Sequence, residues 1–190
     1  MPPHENSVIS DSDLIARVSA NGDKHAFATL VVRHQSVLRA SLRKMTQGNT
    51  ALADDVAQET FILAWKNISK FRYEAKFSTW LYRIAFNAWQ TEVRRKSEVP
   101  LDDETQYEPT PNPSATQATN LRRDLEYAMT DLSDAERSAI IHCYYQDLSH
   151  DEAAYALNMP LGTLKTHVLR AKAKMQQRLE AYRNDIGEVA

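Results

Sequence analysis

From Leu148 to Gln177 the chain has essentially one way to fold, as two helices separated by a short turn. Ser149 offers a hydroxyl N-cap, and Glu152, three residues on, completes the pattern of a capping box. Apolar residues run to Leu157, where Asn158 tolerates a left-handed conformation and Pro160 stops the first helix from continuing. A new period then opens: Leu161, Leu164, Val168, Ala171 and Met175 recur at threes and fours, one face of a second helix. The opposite face holds Thr166, Arg170 and Ala173, flanked by Lys165 and Leu169, and meets no acid before Glu180. A hydrogen-bonding, cationic helix propped on a shorter one fits a major groove. The same pattern also serves an ordinary helical hairpin with a solvated basic face, so the rest of the chain must discriminate.

Four glycines in 190 residues, and no stretch alternating apolar with polar over strand length, predict an all-α fold. The net charge of −2 conceals a strong segregation. Residues 69–98 carry seven Lys/Arg against three Asp/Glu, and 160–183 carry six against one. Between them, 99–119 is −4, and 120–159, with three basic residues against eight acidic, is −5. Two basic patches separated by acid point to two contacts on one polyanion. Cys143 is the only cysteine, which rules out an internal disulfide. It lies beside His142 in the apolar run IIHCYY with no paired spacing to His150 or His167, the setting of a buried thiol rather than a metal ligand. MPPHENSVIS lacks the basic and apolar regions of a signal peptide. No apolar run approaches the roughly 20 residues of a membrane span, so a cytoplasmic protein without membrane insertion is expected.

The period of the apolar residues divides the chain. Residues 1–10 form a loose tail, and Asp11 or Ser12 caps a first helix that Asn21-Gly22 ends. Asp23 caps a second helix reaching Met45, with Phe27, Leu30, Val31, Val37, Leu38 and Leu42 at mostly helical spacing. A third helix covers about 50–68, a polar basic loop 69–76, and a fourth helix 77–96. Periodicity then collapses: 99–119 holds four of the seven prolines and four acids, a flexible, acidic, Pro-rich linker. Helices resume over 120–130 and, behind a Ser133–Glu136 capping box, over 133–145. The expected architecture is two small helical domains, 11–98 and 120–184, with a tail at 185–190.

Two stretches of the first domain carry chemistry. In Asp54-Asp55-Val56-Ala57-Gln58-Glu59, Asp55 and Glu59 are four apart and stack on one helix face, with Asp54 and Gln58 beside them. Like charges at that spacing cost a few tenths of a kcal/mol, a mild repulsion that a solvated face tolerates and that also suits docking a basic partner. No His, Cys or further carboxylate joins them to make a metal site. The second stretch, 69–96, mixes aromatics with Lys/Arg. On a helical wheel Leu81, Ile84, Ala85 and Ala88 face the core, while Trp80, Arg83, Asn87, Gln90 and Arg94 form one stripe. Cations answer phosphates and an amide reads a base edge. Phe71, Tyr73 and Phe77, with Arg72 and Lys76 between and beside them, flank a loop able to hold an unstacked base, although Trp80 and Tyr82 also suit core or boundary positions on a basic, solvated helix.

The order DDVAQETFILAW, FRYEAKFSTWLYRIAFN, a Pro-rich linker and LSHDEAAYALNMPLGTLKTHVLRAKAKM resembles an extracytoplasmic-function sigma factor, group IV of the sigma-70 family. The likeness runs from about Asp13 to Tyr182. It implies that 11–98 is a region 2 domain and 120–184 a region 4 domain. Asp54, Asp55, Gln58 and Glu59 match the acidic helix that docks on the coiled coil of the polymerase's largest subunit. The loop of Phe71, Arg72, Tyr73 and Lys76, with the following helix, matches the element that opens the −10 region, and Asn87 a position that captures a flipped base. Lys165, Thr166, His167, Leu169 and Arg170 match residues presented to the −35 element, with Lys172 and Lys174 placed for phosphate. The linker matches a segment threaded toward the RNA exit path.

The implied partners are the beta and beta-prime subunits of core RNA polymerase and promoter DNA. Many relatives also have an anti-sigma factor. Thr166 and His167 depart from the Arg or Ser common in relatives, and Ala-Trp-Gln-Thr-Glu follows Asn87 where a more basic or aliphatic run is usual. No nucleophile–base pair, metal cluster or glycine-rich phosphate loop occurs, so neither enzymatic activity nor a cofactor is expected. The alternative, a stand-alone helix-turn-helix regulator that dimerises on duplex DNA, leaves the acidic stretch and the aromatic loop without a use.

Overall fold

The computed structural model describes residues 9–98 and 117–187. Every regular element among them is helical. The first helix, α1 (Asp11–Asn21), is capped by Ser10, whose hydroxyl accepts from the Asp13 amide, and not by Asp11 or Ser12. Asp11 is used elsewhere: its carboxylate pairs with Arg33 and meets His34 Nε2 at 2.7 Å, tying α1 to the next helix. Gly22 ends α1 in the left-handed region at φ 63°, which a β-carbon would strain. Asp23 caps α2 (Lys24–Met45) through the amides of His25 and Ala26, each at 3.0 Å. Asn49 caps α3 (Thr50–Asn67), which passes through a 3-10 turn at Ile68–Lys70 into the loop before α4 (Phe77–Glu98).

These helices bury one another's periodic faces. Leu30, Leu38 and Leu42 of α2 are fully buried, whereas Val37, expected with them, is 48% exposed. Val37 lies one residue before Leu38, outside the arc that packs on α1 and α3. Leu42→Ala removes a side chain with no exposed area and leaves a cavity. The expected cost is about 2–5 kcal/mol, read as the loss of stability in urea unfolding.

The second domain begins earlier than its composition indicates. Helix α5 (Gln117–Ala128) already includes residues assigned to the linker, while the rest of the linker, the first eight residues and the last three lie outside the described residues. Both expected capping boxes form: Ser133 with Glu136 opens α6 (Asp134–Ile140), and Ser149 with Glu152 opens α7 (His150–Ala156). The expected helix over 133–145 runs on without a break, and its last stretch, Ile141–Tyr145, widens into a π-helical turn. Seven consecutive residues, Glu136 to His142, are buried there, so this segment is surrounded on every side. The widened turn carries Tyr144 and Tyr145 outward. Asn158, at φ 50°, makes the predicted left-handed turn into α8, which runs Leu161–Gly187, past the expected end of the domain.

Charged groups inside this domain find polar partners, although the buried Nε of Arg137 has none. Arg137 is 3% exposed and donates from Nη2 to the carbonyls of Met129 and Leu132 at 3.0 and 3.1 Å. Burial alone raises the Glu136 carboxyl, but the Lys174 ammonium at 2.7 Å and the Ser133 amide and hydroxyl outweigh it and hold its pKa below the usual range. His142 is 1% exposed; burial pushes its pKa down to about 4, against the opposing hydrogen bond with the Ser138 carbonyl. Its stabilising share is therefore full above the ordinary value near 6.5 and is lost as pH falls from there toward 4. At pH 5 the expected loss is about 2 kcal/mol. His142→Gln removes that part of the acid sensitivity, which a Tm series from pH 7.5 to 5 on both proteins reads directly.

The two domains are not separate bodies. Helix α4 packs against α7, α2 touches α6 and the π-helical turn, and the buried apolar residues of both halves form one continuous cluster.

Candidate functional site

Helix α3 turns Ala53, Val56, Ala57, Thr60 and Ala64 inward, which leaves Asp55, Gln58 and Glu59 exposed on one face. Asp54 behaves differently from its neighbour. Its Oδ1 lies 3.5 Å from Arg39 Nε and 3.9 Å from Arg43 Nη2, both on α2. The two nearby cations thus pair with Asp54, and Asp55 and Glu59 are left without an ion pair among the described residues.

The loop 71–76 is built on an aromatic stack. Phe71 lies 4.8 Å from Tyr73, 5.3 Å from Trp80 and 6.0 Å from Phe77, centroid to centroid. Phe77 is only 4% exposed and also meets the His34 ring edge-on, so it supports the loop from beneath instead of flanking a base site. Phe71 and Trp80 are half-buried. Tyr73 stands out at 53% exposure, with φ 58°, and its hydroxyl donates to the Ser12 carbonyl at 3.4 Å. Arg72 is exposed beside it. One turn and more along α4, Asn87, Gln90 and Arg94 are exposed on the predicted stripe.

Two cations of this surface are engaged by the second domain. Arg83 Nη2 donates to Asn158 Oδ1 at 2.9 Å, and its guanidinium lies 4.6 Å from the Tyr155 ring centroid. Lys76 Nζ lies 3.4 Å from Glu152 Oε1. The Ser149 amide and hydroxyl, and then Lys76, hold the Glu152 carboxyl below its usual range. Tyr82, outside the predicted stripe, is buried, donates to Gln146 Oε1 and meets His142 edge-on at 5.7 Å; burial raises its phenol to about 12. The signal for this contact was present in the chain, since Tyr82, Phe86 and Trp89 form an apolar stripe at helical spacing and all three are buried.

Helix α8 buries Leu164, Val168 and Ala171 and exposes Lys165, Thr166, Leu169 and Arg170. Leu169 is 71% exposed, in the middle of polar neighbours. Thr166 donates its hydroxyl to the Gly162 carbonyl at 2.9 Å, and His167 is half-buried at the edge. Lys172 is exposed over the Tyr144 ring at 4.8 Å. Lys174 is also exposed, but its ammonium is paired with the buried Glu136 carboxylate at 2.7 Å, which ties α8 to α6. Cys143 is half-buried and its thiol is pushed up by burial.

Residues 30–99 match the family described as sigma-70 region 2, and residues 122–175 match sigma-70 region 4. The chain is 33% identical to the ECF RNA polymerase sigma factor SigW of Bacillus subtilis over 171 residues, 83% of this chain and 91% of that protein. The chain belongs to the extracytoplasmic-function sigma factors. It is also 30% identical to the RNA polymerase sigma factor NccH of Alcaligenes xylosoxydans, covering 90% of this chain and 96% of that one. The solved structure of CnrH in complex with the cytosolic domain of CnrY is similar over 90% of this sigma factor and 97% of CnrH, with a TM-score of 0.66 and 26% identity. The sigma factor RpoE of Bartonella quintana, solved with the anti-sigma factor NepR, shares the fold at a TM-score of 0.64 and 23% identity, over 81% of this chain and 96% of RpoE. No described helix is long and apolar enough to cross a membrane.

Proposed function

We propose that this sigma factor recruits core RNA polymerase through α3, reads a −35 duplex with α8 and captures the opened −10 strand with the 71–76 loop and α4. The observation that carries the polymerase contact is the unpaired Asp55–Glu59 face. Two carboxylates keep their mutual repulsion although arginines lie one residue away, and those arginines pair with Asp54 instead. A surface that retains uncompensated charge is matched to a cationic partner. Asp55, Gln58 and Glu59 are its contacts, with Asp54 holding the α2–α3 frame.

At the promoter, Lys165, Thr166, Leu169 and Arg170 enter the −35 major groove, His167 borders it, and Lys172 answers phosphate. In the first domain Tyr73, exposed on the Phe71–Trp80 stack, is the platform for an unstacked base. Asn87 and Gln90 supply amides, and Arg72, Lys76, Arg83 and Arg94 supply cations. The protein acts by binding and not by enzymatic chemistry: contacts made only to the opened strand offset unstacking, which costs a few kcal/mol per base. Its place of work is the cytoplasm, with the polymerase.

Run-off transcription with core polymerase and a genomic promoter library, with and without the protein, tests this. The expected result is new start sites preceded by shared −35 and −10 elements. Binding of the free protein to duplex as a dimer, with no effect on core polymerase, would return it to the stand-alone regulator reading.

A further inference from the structure

The first turn of α1 carries none of the residues assigned to promoter capture, yet it meets the 71–76 loop by two routes. Along the first, Asp11 pairs with Arg33 and meets His34 Nε2 at 2.7 Å, while Arg33 Nη2 also donates to the Ile9 carbonyl at 2.9 Å. An acid in the first turn of a helix is favourable without any partner, but this one turns to two residues 22 and 23 positions away. The His34 ring, anchored in this way, stands edge-on to Phe77 at 5.2 Å, and Phe77 supports Phe71 and Trp80 at 6.0 and 5.7 Å. Along the second route the Tyr73 hydroxyl donates to the Ser12 carbonyl, a long contact at 3.4 Å. The contacts close a ring that leaves α1 at Asp11, passes through His34, Phe77, Phe71 and Tyr73, and returns to α1 at Ser12.

Tyr73 needs such a hold. Its backbone sits at φ 58°, in the left-handed region, where a tyrosine rests only when its surroundings fix it there. Its ring is 53% exposed and packs on Phe71 at 4.8 Å. A stacking platform binds an unstacked base more tightly when its ring is already in place, because the ordering cost falls before the base arrives. We propose that Asp11 and His34 are positioning residues for −10 capture: through Phe77 and Phe71 on one route, and through Ser12 on the other, they hold Tyr73 in the conformation that receives the opened base. Neither touches the base. Releasing the Asp11 clamp lets the loop relax toward unstrained conformations, and each capture must then order it again. Duplex reading by α8 is untouched, so the effect falls on opening and not on the first encounter with the promoter.

The inference rests on Tyr73 being the base platform, and the test separates the two. Holoenzyme assembled from core polymerase and each variant is mixed with a promoter carrying 2-aminopurine in the −10 nontemplate strand. Stopped-flow fluorescence over a range of holoenzyme concentrations then resolves promoter affinity from the rate of opening. Tyr73→Ala should slow opening roughly tenfold and Asp11→Ala roughly fivefold, both at unchanged promoter affinity. The double variant should be no slower than Tyr73→Ala alone, because Asp11 then has nothing left to position. His34→Gln, which keeps a donor for Asp11 and removes the ring against Phe77, should match Asp11→Ala. Arg17→Ala is the control for a merely structural effect: it breaks the partly exposed ion pair with Asp23 at the other end of α1 and should open at the wild-type rate. Wild-type opening in Asp11→Ala beside a slow Tyr73→Ala overturns the positioning role and leaves the platform standing. Additive losses in the double variant overturn it too, since Asp11 would then act elsewhere, and so does an equal loss in Arg17→Ala, which would trace the effect to the stability of α1. Wild-type opening in His34→Gln overturns the route through Phe77. If Tyr73→Ala itself opens at the wild-type rate, Tyr73 is not the platform, and the positioning role falls with it.

Discussion

Alanine at both Asp55 and Glu59 is expected to weaken binding to core RNA polymerase by roughly a hundredfold and to leave the fold slightly more stable. The two effects have opposite signs for a physical reason. The carboxylates stand four residues apart on α3 with no ion pair among the described residues, so removing them relieves repulsion of a few tenths of a kcal/mol. Alanine also has the better helix propensity. At a desolvated interface the same two groups supply charge-assisted contacts that together contribute about 3 kcal/mol, which is the hundredfold. Asp54→Ala is the control. It breaks half-exposed pairs to Arg39 and Arg43 within the domain, so a change of at most about 1 kcal/mol in stability and a smaller effect on binding are expected. Fluorescence anisotropy of labelled protein titrated with core enzyme measures all three. Unchanged affinity in the double variant would sink the docking assignment of α3, and a large loss of Tm would make the effect structural.

How much of this could be read in the chain depends on the range of each interaction. The capping boxes at Ser133 and Ser149 and the turn at Asn158 are set by residues three or four apart, and they form as expected. The exposed face of α8 follows from a helical period sustained over several turns. Misreadings begin where a second element decides. Asp11 looked like a cap because a polar residue preceding an apolar run usually is one, yet Arg33 and His34, over twenty residues away, compete for its carboxylate. Phe77 looked like a loop aromatic because nothing local shows that His34 and Trp80 enclose it. The ion pair of Lys174 with Glu136, 38 residues away, is likewise not legible locally, although the lysine stays exposed on the basic face.

The largest such case is α4. Its core stripe and the Tyr82–Phe86–Trp89 stripe adjoin, making an apolar arc wider than one neighbouring helix needs. That width signals a second packing partner, but it does not name α7, which lies across a linker with no periodic signal of its own. The exposed acidic face of α3 and the exposed cationic face of α8 were legible because each follows from the period of a single helix. The joint between the domains was not, because its partners are 64 to 101 residues apart in the chain.

On the −35 side, Arg170→Ala should reduce transcription from a mapped promoter by about ten- to a hundredfold and flatten base preference at one position. Exposed on α8 beside Leu169, Arg170 can present a bidentate fork to the O6 and N7 of a guanine, a contact that contributes about 1–3 kcal/mol of discrimination. Lys172→Ala should differ in kind. A phosphate contact carries no sequence, so its loss weakens all sites alike and lowers the salt slope of binding by about one unit. Leu169 supplies the third signature. An exposed leucine among polar groups meets only one apolar feature in a major groove, the thymine 5-methyl group. Burying the two together removes about 50 Å² of apolar surface from water, or roughly 1.3 kcal/mol. Replacing thymine by uracil in the −35 duplex should therefore weaken holoenzyme binding severalfold for wild type and leave Leu169→Ala indifferent. Filter binding of the four proteins to both duplexes over a salt series resolves the set. If uracil weakens wild type and Leu169→Ala equally, the methyl is read elsewhere. If Arg170→Ala lowers every sequence uniformly, the guanidinium holds phosphate and the base-reading role passes to its neighbours on α8.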